Sequence, residues 1–134
     1  MASTILVIED NADHAELITW TIRKLGYHAR AVETAGEGLL RFRRGNVAAV
    51  VLDYSLPDED GLSLLPRLRQ GDPLVPIIML TAHRDREIAE QARVLGISDF
   101  IVKTAEQCYL RRLEQALAQA IGVGNHALRA SQAL

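Results

Sequence analysis

Acidic side chains follow two apolar runs of the sequence, at the positions where strands of a sheet would end. Glu9 and Asp10 come directly after residues 4–8 (TILVI), and Asp53 comes directly after residues 48–52 (AAVVL). If both runs are parallel strands, the three carboxylates meet at the carboxyl edge of one sheet. Such a place binds a hard cation and can hold a nucleophilic aspartate.

A hydroxyl and an ammonium group follow two later apolar runs. Thr81 comes after residues 77–80, and Lys103 comes after residues 100–102. Three close carboxylates repel one another, and a bound cation relieves that repulsion. Oxygen ligands without histidine or cysteine favour Mg²⁺ over zinc or copper. The sequence therefore predicts a magnesium site with Thr81 and Lys103 facing the acids.

The elements that would position these residues alternate along the chain. Five apolar runs rich in β-branched residues are separated by segments of helical period, which is typical of an α/β domain. We predict a doubly wound five-stranded parallel sheet in the order 2-1-3-4-5, a flavodoxin-like three-layer sandwich. The predicted strands are 5–8, 28–32, 48–52, 77–80 and 100–102, and the predicted helices are 12–25, 34–44, 62–69, 84–95 and 105–121.

Two of the predicted helices have an apolar face that would dock on the sheet. Leucines and isoleucines recur at three- and four-residue steps in the first and last helices. On the first helix the predicted inner face is Leu17, Ile18, Thr21, Ile22 and Leu25, and on the last it is Leu110, Leu113, Leu117 and Ile121.

Bulk properties exclude several function classes. The 134 residues fit one domain, residues 1–121, followed by a tail or linker, residues 122–134. A net charge of −2 argues against a direct nucleic-acid partner, which usually meets a basic surface. No apolar stretch approaches the roughly 20 residues of a membrane span, so we expect a cytoplasmic protein. The four histidines lack zinc spacing, and we expect them at the surface.

The set of residues resembles the receiver domains of two-component response regulators. Any one of the motifs is weak, but five of them stand in the family's order at the right strand ends, and they cover residues 4 to about 121. The matching residues are Glu9-Asp10, Asp53, the loop 57–61 (PDEDG), Thr81-Ala82 and Lys103.

The resemblance implies a phosphoryl-accepting role for Asp53, with a histidine kinase or a phosphotransfer protein as the donor. It also implies that Asp10 and Asp53 bind Mg²⁺ directly, together with the backbone carbonyl of Ser55, and that Glu9 binds it through water. Lys103 would pair with the phosphoryl oxygens, whose spread negative charge it stabilises. Chemistry of this kind makes a signalling module and not a turnover enzyme.

The resemblance implies a conformational switch as well. Thr81 would bond a phosphoryl oxygen and draw its loop inward, while Phe100 turns between exposed and buried positions. Ser55 and His83 stand at positions that influence phosphoryl lifetime in the family. The altered surface would be helix four, strand five and helix five, which would contact a downstream protein target, a fused output domain or a second copy in a homodimer. Its candidate contact residues are Arg84, Asp85, Arg86, Glu87 and Arg111.

The position after Lys103 departs from the family pattern. Most receivers have a proline after the lysine, commonly with a cis peptide bond, whereas Thr104 follows Lys103 here. A cis bond before a non-proline residue costs about 3–4 kcal/mol, against about 0.5–1 before proline. We therefore predict a trans bond between Lys103 and Thr104 and a shifted loop before the last helix.

Three other functions fit parts of the pattern. A phosphohydrolase with an aspartate nucleophile would carry a second acid two residues after the first, where this chain has Ser55. A flavin-binding module would need a phosphate-cradling loop after strand one, where Glu9-Asp10-Asn11 instead places anions. A docking module that works without phosphorylation remains as the third alternative, and the complete acidic set with Lys103 argues against it.

Overall fold

A computed structural model describes residues 4–122 of the protein. Five parallel strands form one sheet in the order β2-β1-β3-β4-β5, which confirms the predicted fold. The strands are β1 (Thr4–Ile8), β2 (His28–Val32), β3 (Val47–Leu52), β4 (Ile77–Thr81) and β5 (Asp99–Val102). The helices are α1 (Ala12–Lys24), α2 (Ala35–Arg43), α3 (Gly61–Gly71), α4 (Arg86–Val94) and α5 (Tyr109–Leu117), and a π-helical turn, Ala118–Gly122, extends α5.

The central strands are covered by helices on both faces. Alternate residues of β1 and β3 point to opposite faces, so each strand contributes to two separate apolar clusters. Leu6 and Val50 pack in the cluster that includes residues of α2 and α3, whereas Val7 and Val51 pack in the cluster with α1 and α5. This two-sided burial is why β3 is a continuous apolar run without polar alternation.

The inner face of α1 is shorter than the predicted one. Ile18 and Ile22 are buried as predicted, but Leu25 is 36% exposed, so its predicted inward position was wrong. Leu25 is the residue after the end of α1, and Gly26 follows with a φ of +95°, which turns the chain away from the helix. The chain therefore leaves the helical path before Leu25 can reach the core.

The segment between β5 and α5 also departs from the prediction. Helix α5 begins at Tyr109 and not near residue 105, and Gln107 in the intervening turn has a φ of +62°. Every peptide bond among residues 4–122 is trans, which confirms the prediction for Lys103–Thr104. Leu113 and Leu117 of α5 are buried as predicted, whereas Leu110 of α5 and Ile121 of the π-helical turn are half-buried.

Within residues 4–122, no helix is both long and apolar enough to cross a membrane. The predicted tail or linker lies outside the described residues, except for Gly122 at its start.

Candidate functional site

The carboxyl ends of β1 and β3 bring the three predicted acids together. Ile8 pairs with Leu52 in the sheet, and the backbone amide of Asp53 donates to the carbonyl of Ile8 at 3.1 Å. One carboxylate oxygen from each of Glu9, Asp10 and Asp53 lies within 4.8 Å of the others. This acidic cluster stands at the topological switch point of the sheet, as the strand order requires.

The acidic cluster is buried on one side and open on the other. Glu9 is 3% exposed and Asp53 is 8% exposed, whereas Asp10 is an exposed residue. Asp10 is therefore the member of the acidic cluster that is open to solvent.

Lys103 supplies the positive charge of the site. Its backbone amide donates to the carbonyl of Thr81 at 2.8 Å, which fixes the end of β5 beside the end of β4. Its ammonium group donates to Glu9 Oε1, and to Asp53 Oδ2 at 3.1 Å, in a side chain that is only 6% exposed. One cation thus faces two buried carboxylates.

The electrostatics of the cluster follow from this burial. Burial raises the pKa of Glu9 to about 7, the hydrogen bond from Lys103 opposes the rise, and the negative charge of Asp53 adds to it. For Lys103, burial alone would lower the pKa, but the hydrogen bond to Glu9 and the charges of Asp53 and Glu9 raise it above its ordinary value. The ammonium group therefore stays charged at neutral pH.

The other predicted site residues lie around the acidic cluster. Thr81 is the last residue of β4, is fully buried, and accepts a hydrogen bond from the amide of His83 at 3.3 Å through Oγ1. The amide of Ser55 donates to Asp53 Oδ1 at 3.3 Å. The Ser55 hydroxyl lies 2.7 Å from His83 Nε2, and the His83 ring makes an edge contact with Tyr54.

The loop after Asp53 is held by several backbone contacts. Ser55 and Asp60 form an isolated antiparallel bridge, and the amide of Gly61 donates to the carbonyl of Tyr54 at 2.7 Å. A Cβ atom at Gly61 would stand 2.7 Å from the carbonyl oxygen of Asp53, so only glycine fits this close approach. The loop that would supply the Ser55 carbonyl is therefore closely constrained.

Phe100 and the predicted surface residues lie apart from the acidic cluster. Phe100 is half-buried in β5 and packs against the apolar cluster that includes residues of α2 and α3. Exposed charged side chains occupy the start of α4 and the first turn of α5, at Arg84, Asp85, Arg86, Glu87 and Arg111. Within residues 4–122, no hydrogen bond or ion pair described joins Phe100 or these charged residues to the acidic cluster.

The sequence interpretation missed His14 at the site and did not assign a role to Asp58 within the loop 57–61. His14, expected to be an ordinary surface histidine, is half-buried and places Nδ1 3.1 Å from the ammonium nitrogen of Lys103. Asp58 accepts hydrogen bonds from the amides of Ala35 and Gly36, both at 2.9 Å, and so joins the loop after β3 to the start of α2. The only sequence signal for His14 was its place in the first turn after Glu9-Asp10.

The donor set fits a magnesium ion. All three clustered side chains offer carboxylate oxygens, which Mg²⁺ prefers. Oxygens that share an octahedral Mg²⁺ lie up to about 4.2 Å apart, because each stands at about 2.1 Å from the ion. The 4.8 Å limit on the separations among the three oxygens is close to that range.

Comparisons with known proteins identify the family. The sequence profile of the response regulator receiver domain matches residues 5–117. The chain is 34% identical over 125 residues to the probable transcriptional regulatory protein TcrX of Mycobacterium tuberculosis, covering 90% of this chain and 51% of that protein. It is 28% identical over 131 residues to the transcriptional regulatory protein ZraR of Escherichia coli, covering 96% of this chain and 30% of that protein. The chain thus spans about half of these curated relatives or less.

Solved structures share the fold. A response regulator receiver domain protein from Clostridium thermocellum has a TM-score of 0.82 at 24% identity, with 93% of this chain and 98% of that chain covered. The chemotaxis response regulator CheY4 of Vibrio cholerae has a TM-score of 0.77 at 19% identity, with 87% and 100% covered. Together with the profile match, these findings show that the chain belongs to the response regulator receiver domain family, the signalling modules of two-component systems.

Proposed function

We propose that Asp53 accepts a phosphoryl group in a Mg²⁺-dependent reaction, and that a histidine kinase or a phosphotransfer protein is the donor. The observation that carries the proposal is the contact between Lys103 and Asp53, 3.1 Å from nitrogen to oxygen, inside a cluster of three carboxylates. A buried lysine beside a buried aspartate can stabilise the negative charge of a phosphoryl group that is transferred to the carboxylate.

The transfer itself needs little covalent chemistry from the protein. An oxygen of Asp53 forms a bond to phosphorus while the bond from phosphorus to the donor atom breaks, and that electron pair leaves with the donor group. Lys103 places an ammonium group within reach of the incoming phosphoryl oxygens, where it stabilises their negative charge. Because the ammonium is already positioned and nearly dry, it need not reorganise when the charge arrives.

Asp10 and Asp53 would hold Mg²⁺ directly, with the Ser55 carbonyl as a further ligand and Glu9 acting through water. When bound, the ion neutralises charge on the carboxylates and on the phosphoryl group. The protein's own part is to keep these oxygens on one side of the transferred group, at the ends of two hydrogen-bonded strands.

The expected result of phosphorylation is a change in the surface formed by α4, β5 and α5. Thr81 would turn its hydroxyl toward a phosphoryl oxygen and move the loop before α4, and Phe100 would change its burial in β5. The exposed charged residues of α4 and α5 would then meet a downstream protein, an output domain or a second copy of the chain differently. The chain acts as a signalling module in this proposal and not as a turnover enzyme.

Intact mass spectrometry tests the proposal. Incubation with acetyl phosphate and MgCl₂ should add one phosphoryl group to the wild-type protein and release acetate, and EDTA should prevent the addition. Asp53→Asn should gain no phosphate, while Asp13→Asn, an exposed aspartate of α1, should gain it as the wild type does.

Three results would contradict the proposal. A wild-type protein that gains no phosphate would favour the docking module without phosphorylation. Equal addition to the wild type and to Asp53→Asn would mean that another side chain takes the phosphoryl group. Continuous release of product from a phosphomonoester at a high rate would instead favour the phosphohydrolase alternative.

A further inference from the structure

The ammonium group of Lys103 has three side-chain partners, and one of them is not an acid. A lysine ammonium carries three N–H donors. Two of them point at Glu9 Oε1 and Asp53 Oδ2, and His14 Nδ1 lies 3.1 Å from the same nitrogen. Because a charged ammonium can only donate, His14 must present an unprotonated Nδ1 and carry its proton on Nε2.

Hydrogen bonds close a ring around this contact. The amide of Asn11 donates to Glu9 Oε2 at 3.1 Å, and Asn11 Oδ1 accepts from the amide of His14 at 3.0 Å as the N-cap of α1. The imidazole of His14 accepts from the ammonium group of Lys103. That ammonium group also donates to Glu9 Oε1, which completes the cycle of contacts. The first turn of α1 is thereby bonded to Glu9 through Asn11 and to Lys103 through His14, and these contacts fix the position of the imidazole.

His14 differs from the two acids in what happens to it during phosphorylation. It lies outside the acidic cluster, so a cation bound there does not compete for it. It is also neutral when it accepts from Lys103, whereas the carboxylate of Asp53 becomes an acyl phosphate. Of the three contacts to Lys103, the one from His14 is therefore the contact that the reaction leaves in place.

We propose that His14 is a positioning residue that holds the ammonium group of Lys103 over the phosphoryl site. The inference rests on the proposed phosphorylation of Asp53. Without the imidazole, Lys103 has only the two carboxylates as side-chain partners among the contacts described, and the ammonium shifts toward Glu9 and away from the incoming phosphoryl group. The consequence is slower transfer, with the fold unchanged.

Substitution of His14 tests whether the imidazole speeds phosphoryl transfer. His14→Leu keeps apolar bulk and removes the acceptor, and we expect phosphorylation by acetyl phosphate to slow about tenfold, because the ammonium group loses the acceptor that holds it over the phosphoryl site. His14→Asn places an amide oxygen where Nδ1 stood and should restore the rate to within about threefold of wild type. His28→Leu, an exposed histidine of β2, is the matched control and should react as the wild type does.

Thermal melting of each variant separates positioning from folding, and His14→Ala serves as a second acceptor-free variant if His14→Leu melts early. Rescue by asparagine is the result that a purely structural role would not produce. Phosphorylation of the wild type and of His14→Leu at equal rates overturns the positioning role alone. Absence of phosphate on the wild type overturns the proposed function itself.

A nuclear magnetic resonance measurement tests the contact without any phosphorylation. At pH 8, where an ordinary imidazole is neutral, the ¹⁵N shifts of His14 should show an unprotonated Nδ1 and a protonated Nε2. Substitution Lys103→Met should release the ring to a mixture of the two tautomers. A ring of His14 protonated at Nδ1 in the wild-type protein would overturn the inference.

Discussion

At the scale of single residues, one ammonium group faces two carboxylates that are both removed from water. Lys103 contacts Glu9 and Asp53 in a site where each side chain is at most 10% exposed. Two negative charges and one positive charge leave a net negative charge, which is costly to bury. Glu9 therefore keeps its proton to a higher pH than a carboxyl in water would.

This imbalance predicts a measurable titration of Glu9 in the metal-free protein. In EDTA, the ¹³C signal of the Glu9 carboxyl should titrate with a pKa of about 7, compared with 4.5 for the ordinary group. In Asp53→Asn the midpoint should fall, because the charge of Asp53 is one of the causes that raise it. An unchanged midpoint in Asp53→Asn would contradict this account of the electrostatics.

The raised pKa of Glu9 also determines whether the free energy of unfolding rises or falls with pH. Between pH 4.5 and about 7 the folded state keeps the Glu9 proton while the unfolded state has lost it. The free energy of unfolding contributed by Glu9 is therefore fully present below pH 4.5 and falls as the pH rises through this window. Urea titrations in EDTA should show that decline in the wild type and a weaker one in Glu9→Gln.

The sequence predicted the positions of the acids, of Thr81 and of Lys103 at one edge of the sheet. These positions depend only on the order of the strands and on the residues at which the strands end. The sequence did not predict His14 at the site, because the contact with Lys103 joins residues 89 positions apart and depends on how α1 begins. The N-cap at Asn11 sets that beginning, and a cap sets the path of a helix more finely than apolar periodicity does.

At the scale of elements, the start of α2 is fixed by its own cap and by a residue of another loop. Thr34 accepts from the amide of Glu37, and Asp58 accepts from Ala35 and Gly36. Four amides at a helix start lack partners within the helix, and these contacts satisfy three of them. The role of Asp58 was not predicted, because it comes from a loop 22 residues away from Gly36.

Substitution of Asp58 tests this link. Asp58→Asn leaves one acceptor oxygen for two amides, so we expect faster hydrogen exchange at Ala35 or Gly36 and a lower urea midpoint. Those amide bonds lower the pKa of Asp58, so the difference from wild type should be largest at neutral pH and should shrink in acid, as the pH falls through that lowered pKa. Glu33→Gln, an exposed acid just before α2, is the control. Equal exchange rates in both variants would refute the link.

Two glycines of α2 make a matched pair. A Cβ at Gly38 would stand 2.5 Å from Cδ1 and 2.9 Å from Cγ1 of Ile8, a buried residue of β1, whereas a Cβ at Gly36 would meet only Asp58 at 3.5 Å. Gly38→Ala should therefore destabilise the protein by about 1–3 kcal/mol through overpacking. Gly36→Ala should be neutral or stabilising by about 0.5 kcal/mol, because alanine restricts the unfolded chain. Urea denaturation checks both, and a stable Gly38→Ala would show that α2 can move away from the sheet.

Element boundaries were the weaker part of the sequence interpretation. Apolar periodicity predicted that α1 carries Leu25 inward and that α5 begins near residue 105. The structure ends α1 before Leu25 and begins α5 at Tyr109, after the positive φ of Gln107. Periodicity reports which face is apolar, but the chain reversal at each end depends on single backbone angles that apolar spacing does not encode.

At the scale of the whole molecule, one sheet joins two apolar clusters that have no helix in common. Leu65 of α3 packs on one face and Leu113 of α5 packs on the other, and both are fully buried. The strands β1, β3 and β4 supply residues to both clusters. Loss of packing on one face therefore removes support from the strands that the other face uses.

This arrangement predicts that damage to either face destabilises the whole domain together. Leu113→Ala should lower the free energy of unfolding by about 2–5 kcal/mol, as truncation of a buried leucine does, and Leu65→Ala should do the same from the opposite face. Leu74→Ala, at a side chain that is 88% exposed, should change it by no more than about 0.5 kcal/mol. Hydrogen exchange should show amides of β1 and β3 losing protection equally in the two core variants, since a cooperative domain opens as one unit. Loss of protection confined to the helices of the substituted face would mean that the two faces unfold separately. The acidic site would then stay assembled while α5 detaches.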